Sequence, residues 1–240
     1  MFNEGLFISG AIAIVLAGLF IYIRVTKDKI YGVIAKTVAS LAFIGMGIGA
    51  FYALPMPRSL IFIILGAVFG LVGDILLDLK RAQSEFNDIY LLSGMGSFAL
   101  GHLSYFAGVL LFALDDFIFV PIPILVAVGG GIVISALSVG LAKPLGLKYG
   151  KFTIPSAVYA FLLGFMVVFT LMLGIQTDAY YYVAFVGMLL FLASDLILSK
   201  QYFGGEVNGQ PLAENKLLTI INHALYYLAQ IVIMAWLWII

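Results

Sequence analysis

The sequence predicts an all-α, polytopic membrane protein: a single integral membrane domain, residues 1–240, folded as a bundle of about eight transmembrane helices. Three observations carry that expectation. Of 240 residues 64% are hydrophobic and only 10% charged, and the mean hydropathy of +1.17 lies far outside the range of soluble domains. The apolar residues fall into runs of about 20, the length that crosses a bilayer core. The runs lack the period-two alternation of barrel strands, so helices, which satisfy their own backbone hydrogen bonds, are what they can form in lipid. No charge run, low-complexity tract or long polar linker marks a second domain.

Each run has its own features. The first, 6–24, follows MFNEG, which lacks the basic n-region of a signal peptide, and it is too long for an h-region; it is read as a retained span. The second, 33–54, has Lys36 one turn in and GMGIG at 45–49. The third, 59–79, closes on GDILLDLK at 73–80, with Asp74 and Asp78 four positions apart and so on one helical face. The fourth, 89–112, contains GHLSYF and places His102 about midway. The fifth, 118–139, includes GGG at 129–131, and the sixth covers 152–175. The seventh, 179–198, opens at YYY (180–182) and ends in ASDLILSK, which contains Asp195. In the eighth, 217–239, Asn222 adjoins His223, and His223, Tyr226 or Tyr227, and Gln230 recur as a stripe on one face. Neither glycine run starts a helix after a strand, so both are read as close-packing positions rather than phosphate loops.

Basic residues orient the bundle. Loops one, three, five and seven hold Arg24, Lys27, Lys29, Lys80, Arg81, Lys143, Lys148, Lys151, Lys200 and Lys216, while the other side has only Arg58. The positive-inside rule then makes the odd loops cytoplasmic and both termini non-cytoplasmic. Tyr180–Tyr182, Trp236 and Trp238 fall at the expected outer ends, where an aromatic belt would sit. Net charge is zero and no basic tract is interleaved with aromatics, so no nucleic-acid partner is expected. Cysteine is absent, which excludes disulfides and thiolate metal sites.

The polar residues gather at one end. The only two histidines, His102 and His223, each lie 28 residues after an aspartate, Asp74 and Asp195. The common offset of 121 also aligns Gly66 with Gly187, Leu77 with Leu198, and Tyr105 with Tyr226. Spans three and four therefore read as a copy of spans seven and eight, a parallel four-helix repeat about an axis along the membrane normal. Such a repeat would bring both aspartates to a shared cavity. Lys36, Asp74, Asp78, His102, Asp195, Asn222 and His223 are expected to line a pocket open to the cytoplasmic leaflet, because acids at this depth are costly and usually functional. Plainer readings exist for some: Lys36 and Asp78 are near enough to a boundary to snorkel, and the histidines could simply bond between helices. Tyr105, Tyr226 and Gln230 read as packing and orienting groups.

GDILLDL after an apolar helix, GHLSYF, SDLIL and the late HALYYLAQ, in this order on an eight-span chain, resemble the YhhN/TMEM86 family of lysoplasmalogenases from Lys36 through Gln230. The resemblance implies a hydrolase whose partner is a membrane lipid, lysoplasmalogen. Its vinyl-ether bond would be cleaved to a fatty aldehyde and glycerophosphoethanolamine or glycerophosphocholine. It also implies the cytoplasmic membrane of a bacterium or an endoplasmic reticulum-type membrane of an animal cell. Vinyl-ether hydrolysis protonates the β-carbon, passes through an oxocarbenium ion and adds water, much as glycoside hydrolysis uses two carboxyl groups. Asp74 and Asp195 are the expected acid/base pair. His102 and His223 would orient or tune them, Lys36 and Asp78 would support them or meet the polar head, and Tyr105, Asn222 and Tyr226 would assist. No metal or other cofactor is expected, and the sequence has no HExxH. The main rival is a small-solute or lipid transporter with an acidic intramembrane site, which parallel repeats would suit. An intramembrane aspartyl protease fits poorly, since GLVGD at 70–74 has one residue more than GxGD and no PAL follows.

Overall fold

In the computed structural model, which describes residues 4–27, 29–53, 59–82, 87–116, 118–207 and 210–240, eight helices among the described residues are long and apolar enough to cross a membrane. They are α1 (Glu4–Thr26), α2 (Lys29–Ala53), α3 (Ser59–Ala82), α4 (Asn87–Asp115), α5 (Pro121–Gly140), α6 (Thr153–Gln176), α7 (Tyr181–Phe203) and α8 (Lys216–Trp236). The chain is an all-α, multi-pass integral membrane protein. Arg58, the lone basic residue on the expected outer side, lies outside the described residues, as do the side chains of Lys29, Lys80 and Arg81.

Local chemistry fixes several ends. Pro121 starts α5, where its missing N–H costs nothing. Asn215 caps α8, its side chain accepting from the Leu218 N–H at 3.0 Å. Most ends lie within three residues of the apolar runs, but α2 starts four residues earlier, at Lys29, and α7 ends five later. α7 continues past 198 to Phe203 because Gln201 is buried and donates to Thr219 Oγ1 of α8 at 3.0 Å. It stops where Gly204 is followed by Gly205 at φ +69°. Beyond it Glu206–Val207 pairs with Gln210–Pro211 as a short antiparallel ladder that hydropathy alone does not signal. α8 ends at Trp236 rather than 239.

The helices associate chiefly as sequential pairs, α1 with α2, α3 with α4, α5 with α6 and α7 with α8, and α8 also packs on α1 and α2. α8 is the centre of the bundle: Tyr226, Tyr227, Ala229, Gln230, Ile233 and Met234 are all buried. α1 and α5 are peripheral, with Ile12, Val15, Leu125 and Ile132 exposed as lipid-facing surface would be. The α3–α4 seam is made by glycines seven residues apart, Gly66 and Gly73 on one helix and Gly94, Gly101 and Gly108 on the other. A Cβ at Gly66 would come within 2.5 Å of the Tyr105 ring, and one at Gly108 within 2.9 Å of the Ser59 carbonyl. Small residues let membrane helices approach closely where lipid supplies no hydrophobic drive. The two sequence-marked runs contribute less evenly: Gly47, Gly130 and Gly131 meet close neighbours, while Gly45 and Gly129 face open space.

Two aromatic expectations change. Tyr181 and Trp236 do not belong to an interfacial belt; both are buried, packed on each other at 5.9 Å with Phe112 5.7 Å from Trp236. Large rings at the end of a central helix find more contact inside the bundle than at its rim. The 121-residue repeat does not emerge as a shared environment either. Tyr105 bonds Gln230, whereas its offset partner Tyr226 bonds Asp74.

Candidate active site

The polar residues of α1, α2, α3 and α8 converge into a chain of alternating charge. Lys36 Nζ lies 3.0 Å from Asp74 Oδ1 and 3.6 Å from Asp78 Oδ1. Arg24 completes it from the last turn of α1, Nη2 donating to Asp78 Oδ1 at 2.8 Å and Nη1 to Oδ2 at 3.3 Å. The guanidinium lies across α2 at Gly32, where a Cβ would come 3.0 Å from Nη1. Lys36, at 5% exposure, and Asp74 and Asp78, each at 3%, are too buried to snorkel. Two cations and two anions thus neutralise one another, the condition on which charges survive in a low-dielectric interior.

Hydrogen bonds complete the Asp74 shell, and their polarity can be followed atom by atom. Tyr105 Oη donates to Gln230 Oε1 at 2.7 Å, which turns the amide so that Nε2 donates to Tyr226 Oη at 3.4 Å. Tyr226 then gives its proton to Asp74 Oδ2 at 2.9 Å, and Ser40 Oγ donates to the same oxygen at 2.9 Å. Each side chain bonded to Asp74 among the described residues is a donor, an arrangement that suits an ionised acceptor.

Asp195 of α7 is held differently. It is half-buried, accepts one hydrogen bond, from Tyr159 Oη of α6, and has no cation within ion-pair distance among the described residues. It stands between two spaces. One is a polar pocket of about 20 Å³ lined by Arg24, Lys36, Asp74, Asp78, Ser194, Asp195, Asn222, His223 and Tyr226, which is room for about one water. The other is an apolar cavity of about 90 Å³ walled by Leu91, Met95, Leu163 and Leu192. Leu77, Phe98, Asp195, Leu198 and Tyr202 line both. Among the described residues no group of three or more His, Asp or Glu is placed to hold a metal ion.

A family model, the YhhN family, matches residues 32–237. The chain belongs to the YhhN family. No curated protein and no solved structure matches it. The YhhN match spans α2 through α8 and every site residue above except Arg24, which precedes it on α1.

Within this YhhN fold the sequence-marked residues divide into two groups. Lys36, Asp74, Asp78, Asp195, Asn222, His223 and Tyr226 share the polar pocket. Asn222 locks α8 to α7 beside Asp195, Nδ2 donating to the Ser194 carbonyl at 2.8 Å while Ser194 Oγ donates to the Asn222 carbonyl at 3.2 Å. The His223 ring rests edge-on against Phe20 at 4.9 Å. His102 and Tyr105 stand apart from the pocket. His102 Nδ1 carries a proton to the Phe98 carbonyl at 2.7 Å, and the ring sits edge-on to Phe191 at 4.8 Å and Tyr159 at 5.7 Å. Its Nε2 is buried with no hydrogen-bond partner among the described residues. His102 thus faces Tyr159 of α6 and Phe191 of α7, and its link to Asp195 runs through the Tyr159 ring. Sequence reasoning missed Arg24, Ser40, Tyr159 and Ser194 as site residues. Arg24 carried a signal, a cation in the last turn of a span at the acidic end; Tyr159, one of 13 tyrosines, carried none.

Proposed function

We propose that the protein is a membrane hydrolase that cleaves the vinyl-ether bond of a lysoplasmalogen, releasing a fatty aldehyde and glycerophosphoethanolamine or glycerophosphocholine. The observation that carries this reading is the meeting of a water-sized polar pocket with an apolar cavity at one carboxyl group, Asp195. A single-chain ether lipid needs that combination: a slot for its chain, a proton donor at the junction and a water beyond it.

In the proposed reaction Asp195 supplies the proton. It has one neutral partner and borders the apolar cavity, so it can carry hydrogen to the β-carbon of the enol ether. Protonation leaves an oxocarbenium ion on the α-carbon and its ether oxygen, and Asp74, fixed as a carboxylate, stabilises that positive charge across the pocket. A water in the polar pocket adds to the α-carbon and passes its proton to the Asp195 carboxylate. The hemiacetal then collapses, its hydroxyl proton passing to the glycerol oxygen as the C–O bond to glycerol breaks and the aldehyde forms. The sum is substrate plus one water giving aldehyde plus alcohol, with Asp195 restored.

The decisive assay offers purified protein in detergent a lysoplasmalogen and, in parallel, an ester lysophospholipid of matched chain length. Aldehyde from the first and no fatty acid from the second is the expected result. No product from either, with the protein folded, would overturn the hydrolase reading and favour the transporter, whose test is flux of an intact solute across sealed vesicles.

A further inference from the structure

The cavity beside Asp195 is apolar along most of its wall but not at the end facing the α5–α6 loop. Ser138 near the end of α5, Tyr149 in the loop, Ser156 in the first turn of α6 and Ser199 of α7 all line that end. Tyr149 Oη lies 3.1 Å from Ser199 Oγ and 3.4 Å from Ser138 Oγ. Ser156 Oγ is buried with no hydrogen-bond partner among the described residues, an arrangement that costs free energy unless a ligand or water completes it. The loop is strapped to the end of α7: the Lys148 N–H donates to the Phe203 carbonyl at 2.8 Å and Lys200 Nζ donates to the Leu145 carbonyl at 2.8 Å. The Lys200 ammonium therefore stands at the loop that closes this end, while Lys151 is engaged by Asp88.

A length argument connects the mouth to Asp195. Ser199 lies four residues beyond Asp195 on α7, about 6 Å along the helix axis. In a glycerophospholipid the ether oxygen and the phosphorus are joined through three glycerol carbons and one oxygen, also about 6 Å when extended at ordinary bond lengths. A lipid whose reacting bond sits at Asp195 with its chain among Leu163 and Leu192 would carry its phosphate at the level of Tyr149 and Ser199. Four hydroxyl groups and the Lys200 ammonium are donors of the kind a phosphodiester accepts from.

We propose that this hydroxyl-lined mouth, with the Lys200 ammonium beside it, binds the phosphodiester of a single-chain phospholipid and sets the depth at which its chain lies past Asp195. The inference rests on the hydrolase reading and adds a recognition site to it. The test compares two substrates, a lysoplasmalogen and the corresponding 1-alkenylglycerol without phosphate, on wild type and on Tyr149→Phe, Ser199→Ala and Lys200→Gln variants whose melting temperatures in detergent match wild type. For each variant KM for the lysoplasmalogen should rise about 5–10-fold with kcat within about 2-fold, as loss of a charge-assisted hydrogen bond would give. KM for the alkenylglycerol should stay unchanged. An equal rise for both substrates, or no rise for either, overturns the site. Excess inorganic phosphate should leave hydrolysis of the alkenylglycerol unaffected; inhibition by it would mean a site for a free anion rather than for a head group. If wild type releases aldehyde from neither lipid, the hydrolase reading has failed. The mouth is then judged by binding alone, with preference for an ester lysophospholipid over a monoacylglycerol expected in wild type and lost in the variants; absence of that preference in wild type overturns it.

Discussion

Asp74 and Asp195 line the same polar pocket and are held in opposite ways. Asp74 has an ammonium at 3.0 Å on one oxygen and two hydroxyl donors at 2.9 Å on the other, the second fixed by a chain through Gln230 to Tyr105. Asp195 has one tyrosine hydroxyl and an apolar cavity beside it. A carboxylate surrounded by donors is stable because it stays charged, and protonating it would set it against the donors already bonded to it. A sparsely held carboxyl group costs the fold less when it changes state. The contrast assigns fixed negative charge to Asp74 and proton transfer to Asp195, a division that sequence symmetry between the two did not suggest.

The largest effect should therefore come from Asp195→Asn. The amide keeps an acceptor for Tyr159 and removes the exchangeable acid, so kcat should fall about 1000-fold or more with little change in melting temperature. Asp74→Asn should behave the other way round, losing about 100-fold in kcat while also lowering the melting temperature, because Lys36 is left facing a neutral group. Single-turnover aldehyde release beside thermal unfolding in detergent measures both. If both variants retain most wild-type activity, neither carboxyl group takes part in the chemistry; if only Asp74→Asn is inactive, the assignment is inverted.

Lys36→Met tests the charged half of the comparison. Removing one partner of a buried ion pair typically costs about 3–5 kcal/mol, since the other charge stays buried. The double variant Lys36→Met with Asp74→Asn removes both members and should recover much of the lost stability without recovering activity. Equal melting temperatures for the single and double variants would mean that Asp78 and Arg24 absorb the loss and that the four charges act as one unit.

Much of this was legible in the sequence, for definite reasons. Spans are written in hydropathy because lipid demands long apolar helices, so all eight could be placed to within a few residues. Asp74, Asp78, Asp195, Lys36 and Asn222 stood out because a polar side chain in such a run is exceptional. What stayed hidden depends on helix rotation and neighbour choice. Tyr159 is indistinguishable from any other aromatic until α6 is packed on α7, and the seven-residue glycine seam of α3 and α4 shows only once two helices face each other. His102 was marked for chemistry by its rarity, yet its helix turns it toward Phe191 and Tyr159. Tyr181 and Trp236 looked interfacial by position along the chain, and packing drew them inward.

Tyrosine-to-phenylalanine changes sharpen the comparison at smaller scale. Tyr159→Phe takes away the one hydrogen bond that aims Asp195, and kcat should fall about 10-fold, equivalent to a single bond to an ionisable group. Tyr226→Phe removes one of three groups bonded to Asp74, which keeps Lys36 and Ser40. Its kcat should stay within about 3-fold of wild type, with the loss appearing in melting temperature instead. A larger catalytic effect at Tyr226 than at Tyr159 would move proton transfer to the Asp74 side.

The smallest expected effect lies furthest from the chemistry. Tyr105 is fully buried at the far end of the chain that runs through Gln230 and Tyr226 to Asp74. Its proton decides which way the Gln230 amide points, and hence that Tyr226 has only Asp74 to donate to. In Tyr105→Phe the amide loses that constraint, but Lys36 and Ser40 still hold Asp74 as an acceptor. Aldehyde release should then fall no more than about 3-fold, with a modest drop in melting temperature from the unpartnered Gln230 oxygen. If Asp74 were instead the group that carries the proton, the direction of this chain would matter greatly. Tyr105→Phe would then approach Asp195→Asn in severity, and the roles of the two aspartates would have to be exchanged.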